Sequence, residues 1–218
     1  MDNNFFEDKL IKTGTTTVGI VCKDGIVLAA DRRATMGGRI VVDKKTEKVV
    51  KINEEIAVTI AGSVSDVQLL IKVLKAQLKL MEVRRIRKAT VKETANLLGT
   101  MIYNNIRKFS MIPAITGFLL GGKDDNGLYL YSLNVDGSVT LNDDYSSDGS
   151  GFMFATGVLE NSYKKGINVN EGVKLAIQAV NAAIQRDAAT GNGIDVLTIT
   201  KDGVKKVYEK EINTYVIP

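Results

Sequence analysis

Thr13-Gly14-Thr15-Thr16-Thr17-Val18-Gly19-Ile20 supports two readings. A β-branched run entering an apolar stretch is what an ordinary strand looks like. Gly14-Thr15 is also a small-residue cut point, and cleavage there would leave a hydroxyl and a free α-amine on one residue. Those two groups are a nucleophile and its own base. The chain contains no histidine, so Ser-His-Asp and Cys-His catalysis, which need an imidazole to move the proton, are excluded. A hydrolase built on this sequence needs a base of another kind.

Composition narrows the class further. At 218 residues, 44% hydrophobic and 25% charged, the chain suits one domain with one substantial core. Its longest apolar run, 112–120, is broken by Pro113, Thr116 and Gly117 and is too short to span a bilayer. The first fourteen residues carry Asp2, Glu7, Asp8, Lys9 and Lys12 and lack the basic start and apolar middle of a secretory signal. Cys22 is alone, so no internal disulfide forms, and a reducing cytoplasm is the expected compartment. A net charge of +4 raises the question of nucleic acid. Arg84, Arg85, Arg87 and Lys88 have no aromatic companions, however, and Lys72, Lys75 and Lys79 recur at helical spacing. The basic residues therefore read as a solvated helix face.

The order of elements can be followed from periodicity. Strands are expected over 16–22, 26–31, 39–42, 49–52 and 56–60, the first two joined by a Lys23-Asp24-Gly25 hairpin turn with positive φ. From Ser65 the period changes to about 3.6, with Val67, Leu70, Ile71, Leu74, Leu78 and Met81 on one stripe. A second helix starts at Thr90, where Thr90 and Glu93 form a capping-box pattern. Strands return at 114–120, 128–133 and 138–141. A short helix near 158–163 precedes a longer one, capped by Asn168 and Glu171, that ends near Asp187. A hairpin, 194–200 with 204–208, closes the set. Two packed antiparallel sheets, each with a helix pair on its outer face, satisfy this order: an α+β fold in four layers, αββα.

Several separated motifs carry a resemblance. They are Thr13-Gly14-Thr15-Thr16-Thr17-Val18-Gly19, Ala30-Asp31-Arg32-Arg33-Ala34-Thr35, Ile60-Ala61-Gly62-Ser63 with Asp66, Gly149-Ser150-Gly151, Gly157-Val158-Leu159-Glu160, and Gln185-Arg186-Asp187 leading to Gly191-Asn192-Gly193. In this order they resemble the archaeal β-type subunits of the proteasome, N-terminal-nucleophile threonine hydrolases. The resemblance implies a propeptide, 1–14, removed by autocatalytic cleavage at Gly14-Thr15, and a subunit domain, 15–218. Thr15 is then the nucleophile and its α-amine the base. Asp31 and Lys48 match the carboxylate and lysine beside it, with Lys44 and Lys45 as alternatives. The stretch 43–51 holds four lysines and is one residue longer than the usual pattern.

Gly62 matches the residue whose backbone N–H faces the developing oxyanion, and Thr35 the residue that binds substrate main chain as an added strand. Ser150, Asp187 and Thr190 match the groups that orient the amine. Two residues depart from the family's serines: Thr190 keeps a hydroxyl, whereas Phe152 does not. Ala34, Val50, Ile60 and Val64 match the pocket for the side chain before the cut and are apolar, which favours cleavage after hydrophobic residues. Thr46, Lys48 and Gln68 nearby could alter that preference.

The implied partners are other β-type subunits in a seven-membered ring, α-type rings, a regulatory ATPase acting through the α ring, and unfolded polypeptides; no cofactor, nucleic acid or membrane is called for. The implied activity is ATP-independent peptide-bond hydrolysis inside the ring chamber. Two other readings stand beside it: a mainly structural β-type ring member processed by a sister subunit, and a free-standing amidase with the same chemistry.

Overall fold

The computed structural model describes residues 14–111 and 113–212; the leader up to Thr13 and Ile112 lie outside the described residues. β1 (Thr17–Cys22) and β2 (Gly25–Asp31) pair antiparallel and occupy the middle of a five-stranded sheet, ordered β10-β1-β2-β11-β12. Its other members are β10 (Tyr145–Asp148), β11 (Gly193–Thr200) and β12 (Gly203–Glu211). The second sheet runs in chain order: β5 (Val49–Lys51), β6 (Ile56–Gly62), β7 (Thr116–Asp124), β8 (Gly127–Leu133) and β9 (Val139–Asn142). β3 (Ala34–Met36) and β4 (Ile40–Asp43) form a separate two-stranded hairpin.

Helices α1 (Val64–Arg85) and α2 (Val91–Ile106) cover the second sheet. Val67, Leu70, Leu74 and Leu78 of α1 and Val91, Leu98 and Ile102 of α2 join Val58, Phe118 and Leu120 in one apolar cluster. Helices α3 (Phe152–Ser162) and α4 (Val169–Ile184) cover the first sheet, packing Leu159, Ala176 and Val180 on Val18, Ile20 and Val196. Between the sheets lie Ile26, Leu28, Leu119, Leu130 and Ile199. Residues alternating along β2 thus serve different layers, Val27 and Ala29 facing helices and Ile26 and Leu28 facing the other sheet. The four-layer αββα sandwich follows.

Both capping boxes form: Thr90 Oγ1 accepts from Glu93 N and Asn168 Oδ1 from Glu171 N, with the glutamates returning to the cap N–H groups. Four features differ from the periodicity reading. Gly25 opens β2 opposite Cys22 and is not at positive φ, so the turn is Lys23-Asp24 alone. α3 starts at Phe152 rather than near 158, its first turn lacking any side-chain cap that would mark it. β10 is a polar edge strand, Tyr-Ser-Ser-Asp, whose composition resembles a loop. β3 is only three residues long. Among the described residues no helix is long and apolar enough to cross a membrane.

Candidate active site

β1 begins two residues after Thr15, and its pairing with β2 brings the end of β2, Asp31, beside the Thr15–Thr16 peptide. Asp31 is fully buried. Its Oδ1 accepts from Thr16 N at 3.0 Å and from Lys48 Nζ at 2.8 Å, and its Oδ2 accepts from Arg33 N at 3.0 Å and Gly191 N at 2.9 Å. Two donors on each oxygen, one of them charged, hold the carboxylate as an acceptor in one orientation.

Of Lys44, Lys45 and Lys48, Lys48 alone is buried. Lys44 and Lys45 are exposed, Lys45 pairing with Glu211 at 3.1 Å, whereas Lys48 is 4% exposed and points at the Gly14–Thr15 junction. Between β4 and β5, residues 44–48 adopt no regular secondary structure. The Lys48 carbonyl is anchored by Ile60 N at 2.9 Å. Burial pushes the Lys48 ammonium below the usual lysine range, opposed by the charge and hydrogen bond of Asp31. Arg33 adds to the downward push and Asp187 resists it.

Around the Gly14–Thr15 bond the geometry is close. Thr15 Oγ1 donates to the Gly14 carbonyl oxygen at 2.6 Å, and Lys48 Nζ donates to the same oxygen at 3.2 Å. Thr15 N donates to Ser150 Oγ at 3.2 Å. Ser150 Oγ in turn donates to Asp187 Oδ2, which also accepts from Thr190 Oγ1 at 2.6 Å. With that proton committed to Asp187, the 2.7 Å contact between Thr16 Oγ1 and Thr190 Oγ1 has Thr16 as donor. Nitrogen 15 is thus connected through one hydroxyl to a carboxylate. Phe152, which lacks a hydroxyl, is 45% exposed at the start of α3, and this chain of hydrogen bonds is complete without it.

A cleft of about 420 Å³ opens at Gly14 and Thr15. Ala34, Val50, Ile60 and Val64 line it, joined by Thr35, Gly62, Thr46, Lys48 and Gln68. Thr35 Oγ1 accepts from Gly14 N at 3.0 Å, so the residue before the junction is held by its main chain. Gly62 sits at φ +115°, and a Cβ there would lie 2.1 Å from the Ile115 carbonyl oxygen. Only glycine fits that backbone. Gly14 is crowded too: an added Cβ would meet Ala189 Cβ at 1.8 Å.

Two residues gained no role from the sequence. Thr16 touches both carboxylate systems, its N–H bound to Asp31 and its hydroxyl to Thr190. Arg33 donates from Nε to Asn192 Oδ1 at 2.8 Å and from Nη1 to the Ala188 carbonyl at 2.6 Å, tying down the loop that carries Thr190. Its place directly after Asp31-Arg32 was the available signal. Cys22 offers no rival nucleophile, since burial foremost, with Asp24 and Glu171, pushes its thiol up to about 12.

The family model for proteasome subunits matches residues 11–199. Over 207 residues the chain is 42% identical to the proteasome subunit beta of Archaeoglobus profundus, covering 95% of this chain and 94% of that protein. The proteasome subunit beta of Methanothermobacter thermautotrophicus is 44% identical over 206 residues, at 94% and 95% coverage. Proteasome subunit beta 1 of Thermococcus onnurineus is 43% identical over 199 residues, at 91% and 95%.

Proposed function

Because the chain belongs to the proteasome subunit family, as a β-type core subunit, we propose that it is a threonine endopeptidase whose nucleophile is Thr15. The observation that carries the reading is the convergence on one carbonyl. The Thr15 hydroxyl lies 2.6 Å and the Lys48 ammonium 3.2 Å from the oxygen of Gly14. In the precursor, Thr15 Oγ adds to the Gly14 carbonyl carbon. The C–N bond then breaks as the nitrogen takes up a proton, and water hydrolyses the resulting ester. Residues 1–14 leave as a propeptide, and Thr15 keeps a free amine.

An α-amine, which ordinarily titrates at about 7.7–8.0, takes the Oγ proton near neutrality, where a lysine at about 10.4 does not. Ser150, Asp187 and Thr190 orient it. Lys48, held by Asp31, favours the alkoxide-like oxygen by charge. The Gly62 N–H receives the oxyanion, a contact worth about 3 kcal/mol in related chemistry. Thr35 aligns the substrate main chain, and Ala34, Val50, Ile60 and Val64 take an apolar side chain before the cut.

A proteasome subunit works in an assembly with other subunits. We place this one in a seven-membered β ring, stacked on α rings through which a regulatory ATPase feeds unfolded polypeptide, in the cytoplasm. The mainly structural reading finds no support in Phe152, since the hydrogen bonds at nitrogen 15 close through Ser150.

Intact mass and peptide hydrolysis on the assembled particle test the proposal. The expected result is loss of residues 1–14 from the parental subunit, with retention of the leader and no hydrolysis in Thr15→Ala. A Thr15→Ala particle that cleaves at the parental rate overturns it.

A further inference from the structure

Resting on the reading of Thr15 as nucleophile, we infer that Arg32 is a positioning residue: a buried guanidinium that fastens the Asp31–Lys48 pair to the charges of the last two strands. Its main chain sits where the site's loops cross. Arg32 N donates to the Gly191 carbonyl at 3.1 Å, and the Arg32 carbonyl accepts from Thr46 N at 3.1 Å. One bond reaches the loop that carries Thr190, and the other reaches the stretch that ends in Lys48. Displacement of Arg32 therefore moves Asp31, its neighbour, relative to both.

The side chain is anchored away from the reacting atoms. It is 8% exposed, with Nε 3.6 Å from Asp195 Oδ2 of β11 and Nη1 3.1 Å from Glu209 and 3.9 Å from Glu211 of β12. Its stem lies over Gly193, where an added Cβ would meet Arg32 Cδ at 2.8 Å. Asp195 is 1% exposed and is approached by Lys206 Nζ at 3.4 Å. None of the Asp195 oxygens, nor Arg32 Nε or Nη1, makes an aligned hydrogen bond, although the ion-pair distances are short. The anchor therefore works by charge in a buried setting, where attraction is strong and loss of one partner leaves the other uncompensated.

β12 grips the lysine-bearing stretch directly as well. Lys45 pairs with Glu211 at 3.1 Å, and Lys206 approaches Glu47 at 3.9 Å. Lys45 and Glu47 lie just before Lys48, and no regular secondary structure holds them. The charges of β12 thus add to the two backbone hydrogen bonds that hold the stretch, Thr46 N to the Arg32 carbonyl and Ile60 N to the Lys48 carbonyl.

Peptide hydrolysis by the assembled particle reads the effect. A misplacement of about 1 Å at a reacting pair can cost about a hundredfold in rate. The expected result for Arg32→Met is a fall in kcat of about tenfold to a hundredfold with KM within about twofold, and Arg32→Lys recovers most of the loss. Glu209→Gln with Glu211→Gln, both outside the core, lowers kcat in the same direction by about threefold to tenfold. Parental kcat in Arg32→Met overturns the inference, as does a loss confined to KM or one that lysine fails to relieve. If Arg32→Met does not assemble, the double glutamine variant decides, and parental kcat there overturns it. Activity in Thr15→Ala would remove the premise instead, which separates failure of the nucleophile from failure of the anchor.

Discussion

At the scale of single residues, the site is two hydrogen-bonded carboxylates joined through Thr16. Asp31 serves the lysine and Asp187 serves nitrogen 15 through Ser150. Thr190 is the hinge between them, accepting from Thr16 and donating to Asp187. Thr190→Val keeps the shape, strips a donor from Asp187 and leaves the Thr16 hydroxyl without its acceptor. Steady-state hydrolysis by the particle should fall about tenfold in kcat, while Thr190→Ser stays near parental, because hydrogen bonds to charged groups are worth about 1.5–3 kcal/mol. The proximity of Ser150 and Thr190 to Asp187 was legible from motif position. That the hydrogen bonds from nitrogen 15 to Asp187 close without Phe152 was not, since only the folded chain shows it 45% exposed at the start of α3.

At the scale of elements, side chains fix particular helix ends. The α1–α2 turn is held by Glu93, which accepts from Arg87 Nη2 at 2.7 Å, from Arg85 Nη1 at 2.9 Å and from Thr90 N at 2.9 Å. The Arg87 hydrogen bond foremost, with the Thr90 N–H, pulls the Glu93 carboxyl down to about 2. A carboxyl depressed from its ordinary 4.5 stabilises the fold above about pH 4.5, and that stabilisation drains away as pH falls toward 2. Glu93→Gln should therefore lose about 1 kcal/mol at neutral pH, discounted for its exposure, and nothing near pH 2. Denaturant unfolding at the two pH values measures the difference. The basic cluster that suggested nucleic acid is largely consumed here: Arg85 and Arg87 on Glu93, Lys88 on Glu55.

Across the whole molecule, stability rests on the contact between the sheets. Leu28 is fully buried there with Leu119, Leu130 and Ile199. Leu28→Ala is expected to cost about 3 kcal/mol and to lower Tm by roughly 6–12 °C in thermal unfolding. The surviving fold should cleave normally, because Leu28 packs between the sheets and lines no part of the cleft at Thr15. Proteasome subunits function in assemblies, so a Leu28→Ala chain should also form fewer particles at raised temperature, as native sizing would record.

The sequence by itself determined which chemistry was open. The absence of histidine excluded imidazole-dependent catalysis, and alternating strands, amphipathic stripes and two capping boxes set the four layers. These are local properties, carried by composition, period and spacing, and they need no partner to be read. Tertiary structure alone decided which lysine is buried beside Asp31 and where Arg32 and Arg33 anchor. It also decided that β10, polar and loop-like as sequence, is the strand that delivers Ser150. The pairings of Arg32, Arg33 and β10 join residues more than a hundred positions apart, such as Arg32 with Asp195, and Lys48 meets Asp31 across seventeen positions that include an irregular loop. Neither is encoded by neighbours along the chain.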